Sequence, residues 1–303
     1  MKKQPTPAPA KNKPVQKASV KTAPPKGTKN ALVVKEKTAP PVIASLANKM
    51  YANRSRGLQN ITLDDVAIPF VSIIQSGSPQ KNPRHEKYIE GAEEGDIFNT
   101  VTNELYASVD IVPTAYKKVF VEWKDRKTGG GFVRIHDKNS AIVQNAKRNE
   151  DGKIVLSNGN LLVETAQFFV LLVDVDNQDD IVGVQRAVLA FTSTQLKKSR
   201  KWVTQMRELM LDGDEGLFNP PMFAYIYTIS TQSESNDKGS WFGWNIEINK
   251  MVESERLFDL AQQYSISIDA GEGPEVDYSK SGMDTDVVPP VEDGNDDDEH
   301  DAY

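Results

Sequence analysis

The chain has 303 residues, no cysteine and a net charge of −7, which excludes disulfides and thiolate metal sites. Its mild acidity conceals opposed ends: residues 1–40 carry ten lysines against one glutamate (+9) and residues 269–303 carry thirteen acids against one lysine (−12), leaving −4 for residues 41–268. There is no run of about 18 apolar residues to cross a bilayer, and the opening Met-Lys-Lys runs on into proline and lysine rather than an apolar leader, so a cytoplasmic protein with no membrane partner is expected.

Residues 1–40 hold seven prolines and few large apolar side chains. Neither this basic arm nor the acidic tail, residues 269–303, has enough apolar surface to offset the entropy of ordering, so both are expected to be disordered. Residues 41–268 are long enough for one domain with a large core.

Within 42–60, the spacing of Ile43, Leu46, Ala47 and Met50 predicts a helix. Ile68–Ile74 is apolar but interrupted by Pro69, which predicts an edge strand or a bulge. After a polar loop at Ser76–Pro83, strands are expected at Ile97–Val101, Leu105–Val112 and Ala115–Lys124. A polar turn ending in Gly129-Gly130-Gly131 then leads into Phe132–Ile135. Asn158-Gly159, between Ile154–Leu156 and Leu161–Val163, is a hairpin signal because it tolerates positive φ. Ala166–Val175 and Ile181–Phe191 form two long buried strands around an acidic turn, Asp176–Asp180. A helix capped at Ser193 or Thr194 runs to Met210, with Leu196, Val203, Met206 and Met210 inward. Strands Met222–Gln232 and Ser240–Ile248 flank a polar loop, Ser233–Gly239, before a helix over Lys250–Tyr264 with Met251, Phe258 and Ala261 inward. The pattern is mainly β, a β-dominated α+β barrel or sandwich with a few added helices.

Signals for catalysis are sparse. His85, His136 and His300 have no metal-ligand spacing, and no phosphate-binding loop, dinucleotide fingerprint or nucleophile elbow is present. The acidic turn with Asp174, Asp176, Asp179 and Asp180 lacks the glycine and closing glutamate of a calcium loop. Asp110 with Glu122-Trp123-Lys124 matches the D…E-x-K spacing of Mg²⁺-dependent nucleases, in which two carboxylates hold the metal and lysine assists water. Strand alternation places Glu122 and Lys124 on one face in any case, so the nuclease is kept as an alternative. No cofactor is expected, and the chain is read as a non-enzyme.

Binding signals are stronger. Tyr116-Lys117-Lys118-Val119-Phe120-Val121-Glu122-Trp123-Lys124-Asp125-Arg126-Lys127 interleaves rings and cations, and alternation groups Tyr116, Lys118, Phe120 and Lys124, with Phe132 and Arg134 across from them. Single-stranded nucleic acid calls for this mixture, rings for stacking and cations for phosphates. Lys197, Lys198, Arg200 and Lys201 form a second basic cluster on the first turns of a helix. Trp241, Phe242 and Trp244 crowd one strand, so at least one of these rings is expected to face a partner. Stacking is assigned to Tyr116, Phe120, Trp123, Phe132 and Trp241 or Trp244. Phosphate contacts fall to Lys117, Lys118, Lys124, Arg126, Lys127, Arg134 and the Lys197–Lys201 cluster.

The tail ends in Asp296-Asp297-Asp298-Glu299-His300-Asp301-Ala302-Tyr303, an acidic run closed by an aromatic residue. With that tail, the basic–aromatic strands and the segments Tyr88-Ile-Glu-Gly-Ala, Gly95-Asp-Ile-Phe-Asn-Thr and Lys238-Gly-Ser-Trp-Phe-Gly-Trp, the chain resembles bacteriophage single-stranded-DNA-binding proteins. The resemblance implies an elaborated OB-like barrel that protects single-stranded DNA during phage replication and recombination. It further implies that the tail, through Asp296, Asp297, Asp298, Glu299, Asp301 and Tyr303, recruits a polymerase, helicase or primase and competes with DNA. A homo-oligomer is compatible with it. The region is larger than a minimal OB barrel, and the basic arm is outside the usual pattern. A phage structural or assembly protein is the other alternative.

Overall fold

The computed structural model describes residues 44–62, 65–150, 152–175, 181–237 and 239–282. The basic arm, the acidic turn at 176–180 and the tail residues Asp296, Asp297, Asp298, Glu299, Asp301 and Tyr303 lie outside the described residues. In chain order the elements are α1 (Ala44–Ala52), β1 (Phe70–Ile73), β2 (Ile97–Asn99), β3 (Leu105–Tyr106), β4 (Ser108–Trp123), β5 (Phe132–Asp137), α2 (Ala141–Gln144), β6 (Ile154–Val155), β7 (Leu161–Val175), β8 (Ile181–Thr192), α3 (Leu196–Glu208), β9 (Leu211–Gly213), β10 (Gly216–Phe218), β11 (Tyr225–Asn236), β12 (Gly239–Met251) and α4 (Glu255–Asp269).

The fold is mainly β, as the strand-rich pattern implies: among the described residues, eight strands run in the order β12-β11-β4-β7-β8-β1-β2-β3 and curl into a half-barrel. β5 adds to β4, β6 adds to β7, and β9 and β10 make a separate hairpin. The pairings are antiparallel except that of β1 with β8. Several expected strands prove to be parts of longer ones. Leu105–Val112 and Ala115–Lys124 merge largely into β4, where a bulge between Pro113 and Ala115 absorbs the proline. Leu161–Val163 and Ala166–Val175 are one strand, β7. The stretch expected as a loop, Ser233–Gly239, is mostly ladder: β11 and β12 pair out to Asn236 and Gly239. Strand β1 is interior rather than an edge, since it pairs with β2 and β8; Pro69 precedes its first residue and offers only its carbonyl, to the Val188 N–H at 2.8 Å.

Both faces of the sheet are covered. On one face α4 lays down Leu257, Ala261, Tyr264 and Ile268 against Val112, Phe169, Val188 and Ile226. Those four side chains recur at helical spacing, and Ser254 caps the helix by accepting the Leu257 N–H at 3.3 Å. The helix thus starts later than Lys250, because Lys250 and Met251 still belong to β12. On the other face α3 places Trp202 and Met206 against Phe168, Phe191, Tyr227 and Trp244; Met210, expected inward, is exposed. Helix α1 forms as expected, but Leu46 and Met50 are exposed.

The folded region also extends beyond residue 268. Val276, Tyr278 and Ser281 are buried; the Tyr278 hydroxyl donates to Gln167 Oε1 at 3.0 Å, and the Ser72 hydroxyl donates to the Ser281 carbonyl at 2.6 Å. Composition hides this strap, because its few large apolar side chains are scattered among acids and glycines.

Edge strand β12 meets side chains where a further strand would pair. Gln75, just after β1, donates from Nε2 to the Phe242 carbonyl (2.7 Å) and accepts the Phe242 N–H (2.9 Å). Gln195, just before α3, accepts the Trp244 N–H at 2.9 Å. These amides tie the first strand of the half-barrel back to the segments that follow β1 and β8.

Candidate nucleic-acid interface

Strand alternation divides the basic–aromatic segment between two faces. Tyr116, Lys118, Phe120 and Glu122 share the face that carries α3, and their cross-strand neighbours on β7 are Phe168, Ala166, Glu164 and Leu162. Lys117 turns to the other face, where Nζ donates to the Ile268 carbonyl at 3.3 Å near the end of α4 and lies 5.6 Å from the Phe169 ring centre. Trp123 also points to that face, into the core beside Phe132, with ring centres 6.0 Å apart.

An irregularity in the β4–β5 ladder decides the fate of Phe132 and Arg134. Glu122 pairs with Arg134 and Trp123 with Phe132, so one extra residue of β5 separates the two positions. Phe132 therefore packs with Trp123 and Tyr278, whereas Arg134 stays on the face of Glu122. The expected grouping of Phe132 with Arg134 is not formed.

Most rings expected to stack on bases are interior. Phe120, Trp123, Trp241 and Trp244 are all buried. Phe242 is half-buried, and its ring lies where a Cβ on Gly95 would come within 2.7 Å of it. Trp241, bonded to Glu234, and Trp244, packed near Phe191, are thus held in the interior, and Phe242 lies against the Gly95 loop. Tyr116 is different. It is 40% exposed, and its ring leans on Phe168 with centres 5.0 Å apart. Behind it Phe168 packs on Trp202 of α3 at 4.5 Å, so the exposed ring has a rigid aromatic support.

The cations divide in the same way. In the α3 cluster, Lys198 turns inward to the Glu234 carboxylate and the Trp244 carbonyl, whereas Lys197, Arg200 and Lys201 are exposed. Burial holds the Tyr116 hydroxyl above its ordinary pKa, with Lys118, two residues along the same strand face, pulling it down, Glu164 pushing it up and Arg200 pulling it down. Lys118 Nζ lies 2.6 Å from Glu164 Oε1, and Arg148 Nη2 lies 3.7 Å from Glu164 Oε2. Lys124 and Lys127 are exposed at the β4–β5 turn; Arg126 begins the same turn. The strip from Tyr116 and Lys118 to Lys124, just past the end of β4, is eight steps, roughly 27 Å at strand rise, with Arg134 on neighbouring β5 and the buried Phe120 and Glu122 between.

One buried carboxylate anchors the far half of the strip. Glu122 receives His136 Nε2 at 2.7 Å, Asn158 Nδ2 at 3.3 Å and Asn160 Nδ2 at 2.5 Å, with Arg134 Nε at 3.7 Å. Burial by itself would raise the Glu122 pKa, but the three hydrogen bonds outweigh it and hold the group below the ordinary glutamate value. Sequence spacing placed Glu122 on a strand face but missed His136, Arg148, Asn158, Asn160 and Glu164. The Asn158–Asn160 turn was legible only as a hairpin, and nothing local announces that its amides reach β4.

The nuclease triad is not assembled. Asp110 and Glu122 lie twelve residues apart on the same strand, roughly 40 Å at strand rise. Asp110 instead accepts the Thr228 hydroxyl at 2.5 Å and Asn249 Nδ2 at 3.2 Å. Among the described residues no group of three or more carboxylate or histidine side chains is arranged to hold a metal ion, and no helix is long and apolar enough to cross a membrane.

No curated protein and no solved structure matches this chain. A protein-family profile, described as Pam3 phage gp34-like protein, does match, over residues 34–274. That span takes in the whole half-barrel, both packing helices and the strip beside α3. The chain therefore belongs to the Pam3 phage gp34-like family, a family of bacteriophage proteins.

Proposed function

We propose that this phage protein binds single-stranded DNA without catalysis, along the strip from α3 to the β4–β5 turn, during phage DNA replication or recombination. The observation that carries the reading is Tyr116, an exposed ring backed by Phe168, with Lys118 two residues on along the same face of β4 and the exposed Arg200 on α3, the helix that covers that face. A ring with cations on the same face offers a base a stacking platform and offers the adjoining phosphates their counter-charge. Lys124, Lys127 and Arg134 extend the cationic track, and the acidic tail ending at Tyr303 is assigned to recruiting a replication protein. Phe120, Trp123, Trp241 and Trp244 leave the stacking set because they are buried.

All four tryptophans are buried, so the appropriate readout is the anisotropy of a labelled oligonucleotide rather than intrinsic fluorescence. Single-stranded DNA is expected to bind in preference to its duplex, more weakly as salt rises. Tyr116→Ala is expected to weaken binding by about 1–3 kcal/mol, the usual cost of losing a base–aromatic stack. The proposal fails if wild-type protein binds no oligonucleotide at low salt, or if Tyr116→Ala and Arg200→Ala bind as wild type does.

A further inference from the structure

Glu164 lies on the proposed track with the wrong charge for it. Its side chain is 14% exposed on β7, opposite Phe120, and its two oxygens face different cations: Oε1 meets Lys118 at 2.6 Å and Oε2 meets Arg148 at 3.7 Å. Arg148 is steadied by a second bond, from Nη1 to the Gly152 carbonyl at 2.8 Å. A carboxylate between two donors, beside an exposed ring, has the charge and the contacts of a backbone phosphate in the same place.

Among the described residues, Glu234 and Glu122 also face cations from partly or fully buried positions, and these pairings differ in kind. Glu234 holds Lys198, but Trp241 Nε1 (2.9 Å) and Gln195 Nε2 (3.2 Å) also bond to that carboxylate, and the lysine side chain is only 23% exposed. Glu122 faces Arg134 at 3.7 Å, yet it is already saturated by His136, Asn158 and Asn160. Those two carboxylates are structural ties. At Glu164 the cations are 41% and 59% exposed, so an incoming anion reaches both without unfolding anything.

We propose that Glu164 limits the affinity of this surface by occupying, between Lys118 and Arg148, the position that a backbone phosphate takes when a nucleic-acid strand binds. The inference rests on the binding reading above and adds an internal competitor to it. While Glu164 is in place, Lys118 and Arg148 contribute little to binding, because the anion they gain replaces one they already hold. The arrangement also gives the −4 of residues 41–268 a role at this site, since part of that negative charge is spent on quenching the track.

The test is Glu164→Gln in the full chain, titrated against a labelled single-stranded oligonucleotide at several salt concentrations. Glutamine keeps the shape and removes the charge. The expected result is at least tenfold tighter binding at low salt. Opening that one phosphate position should also steepen the slope of log K against log salt by about 0.7, the value per phosphate neutralised on a single strand. Asp212→Asn on the β9–β10 hairpin makes the same change in net charge away from the strip and should leave the slope unchanged. Adding Lys118→Gln to Glu164→Gln should remove about half of the gained slope. Should the glutamine variant unfold, Glu164→Ala repeats the measurement with a smaller side chain. Wild-type binding that weakens in Tyr116→Ala but keeps its affinity and slope in Glu164→Gln overturns this inference and spares the binding reading. An absence of oligonucleotide binding in every variant overturns both.

Discussion

Glu122 shows how much one side chain can hold. Three elements converge on its carboxylate: β4 carries it, β5 brings His136 and Arg134, and the turn before β7 brings Asn158 and Asn160. Its pKa lies below the ordinary 4.5 despite the opposing effect of burial. A depressed carboxylate contributes stability that is present above its unfolded pKa and lost as pH falls through the folded one. Glu122→Gln is therefore expected to be less stable than the parent at neutral pH by about 1–3 kcal/mol, the cost of disrupting a buried charged network. In urea unfolding at stepped pH, that gap should narrow as the solution becomes more acidic than pH 4.5. A gap that stays constant down to pH 3 would count against an ionised Glu122. The sequence made the strand and the face of Glu122 legible through period-2 alternation. It hid the amides, because the reach of Asn158 and Asn160 depends on how the β6–β7 hairpin folds back on β4.

At the scale of elements, the β11–β12 hairpin is the part least legible beforehand. Ser233-Glu-Ser-Asn236 is polar and reads as loop, yet ladder bonds carry it as strand out to the turn. What holds it there is not an apolar stripe but Glu234, which gathers Lys198, Trp241 and Gln195. That gathering requires close approach at Gly243, where a Cβ would stand 2.6 Å from Glu234 Oε1 and 2.7 Å from Gln195 Nε2. Gly243→Ala is expected to cost about 1–3 kcal/mol, as overpacking in a tight interior does. The denaturation midpoint measures it, and an unchanged midpoint would mean that the hub relaxes freely. The helices were more legible, because α3 and α4 have 3.6-residue periodicity; only their ends shifted, where 3-10 turn and strand geometry prevailed over the pattern.

The half-barrel owes its closure to side chains. Gln75 gives Phe242 both a donor and an acceptor, and Gln195 takes the Trp244 N–H, so part of β12 is paired as though another strand lay beside it. Gln75→Leu is expected to cost about 1–3 kcal/mol, because it strands the backbone groups of Phe242. Hydrogen exchange should then quicken at the Phe242 amide first; equal protection in the variant would show that the seam does not depend on Gln75. No periodicity reveals such a seam, since two isolated glutamines in loops carry no pattern. The same holds for strand order. Composition and alternation predict a mainly β chain, but the placement of β1 between β2 and β8 follows from contacts far apart in sequence.

The parallel pairing of β1 with β8 joins Val71 to Leu189. The chain between the two strands, which includes β4 and β7, must be gathered in for that ladder to close. Closing so long a loop is entropically expensive and slows folding. The antiparallel β4–β7–β8 block is thus expected to form early and to wait with one flank of β8 bare. During that interval the newly made protein offers a hydrophobic strand edge to its neighbours.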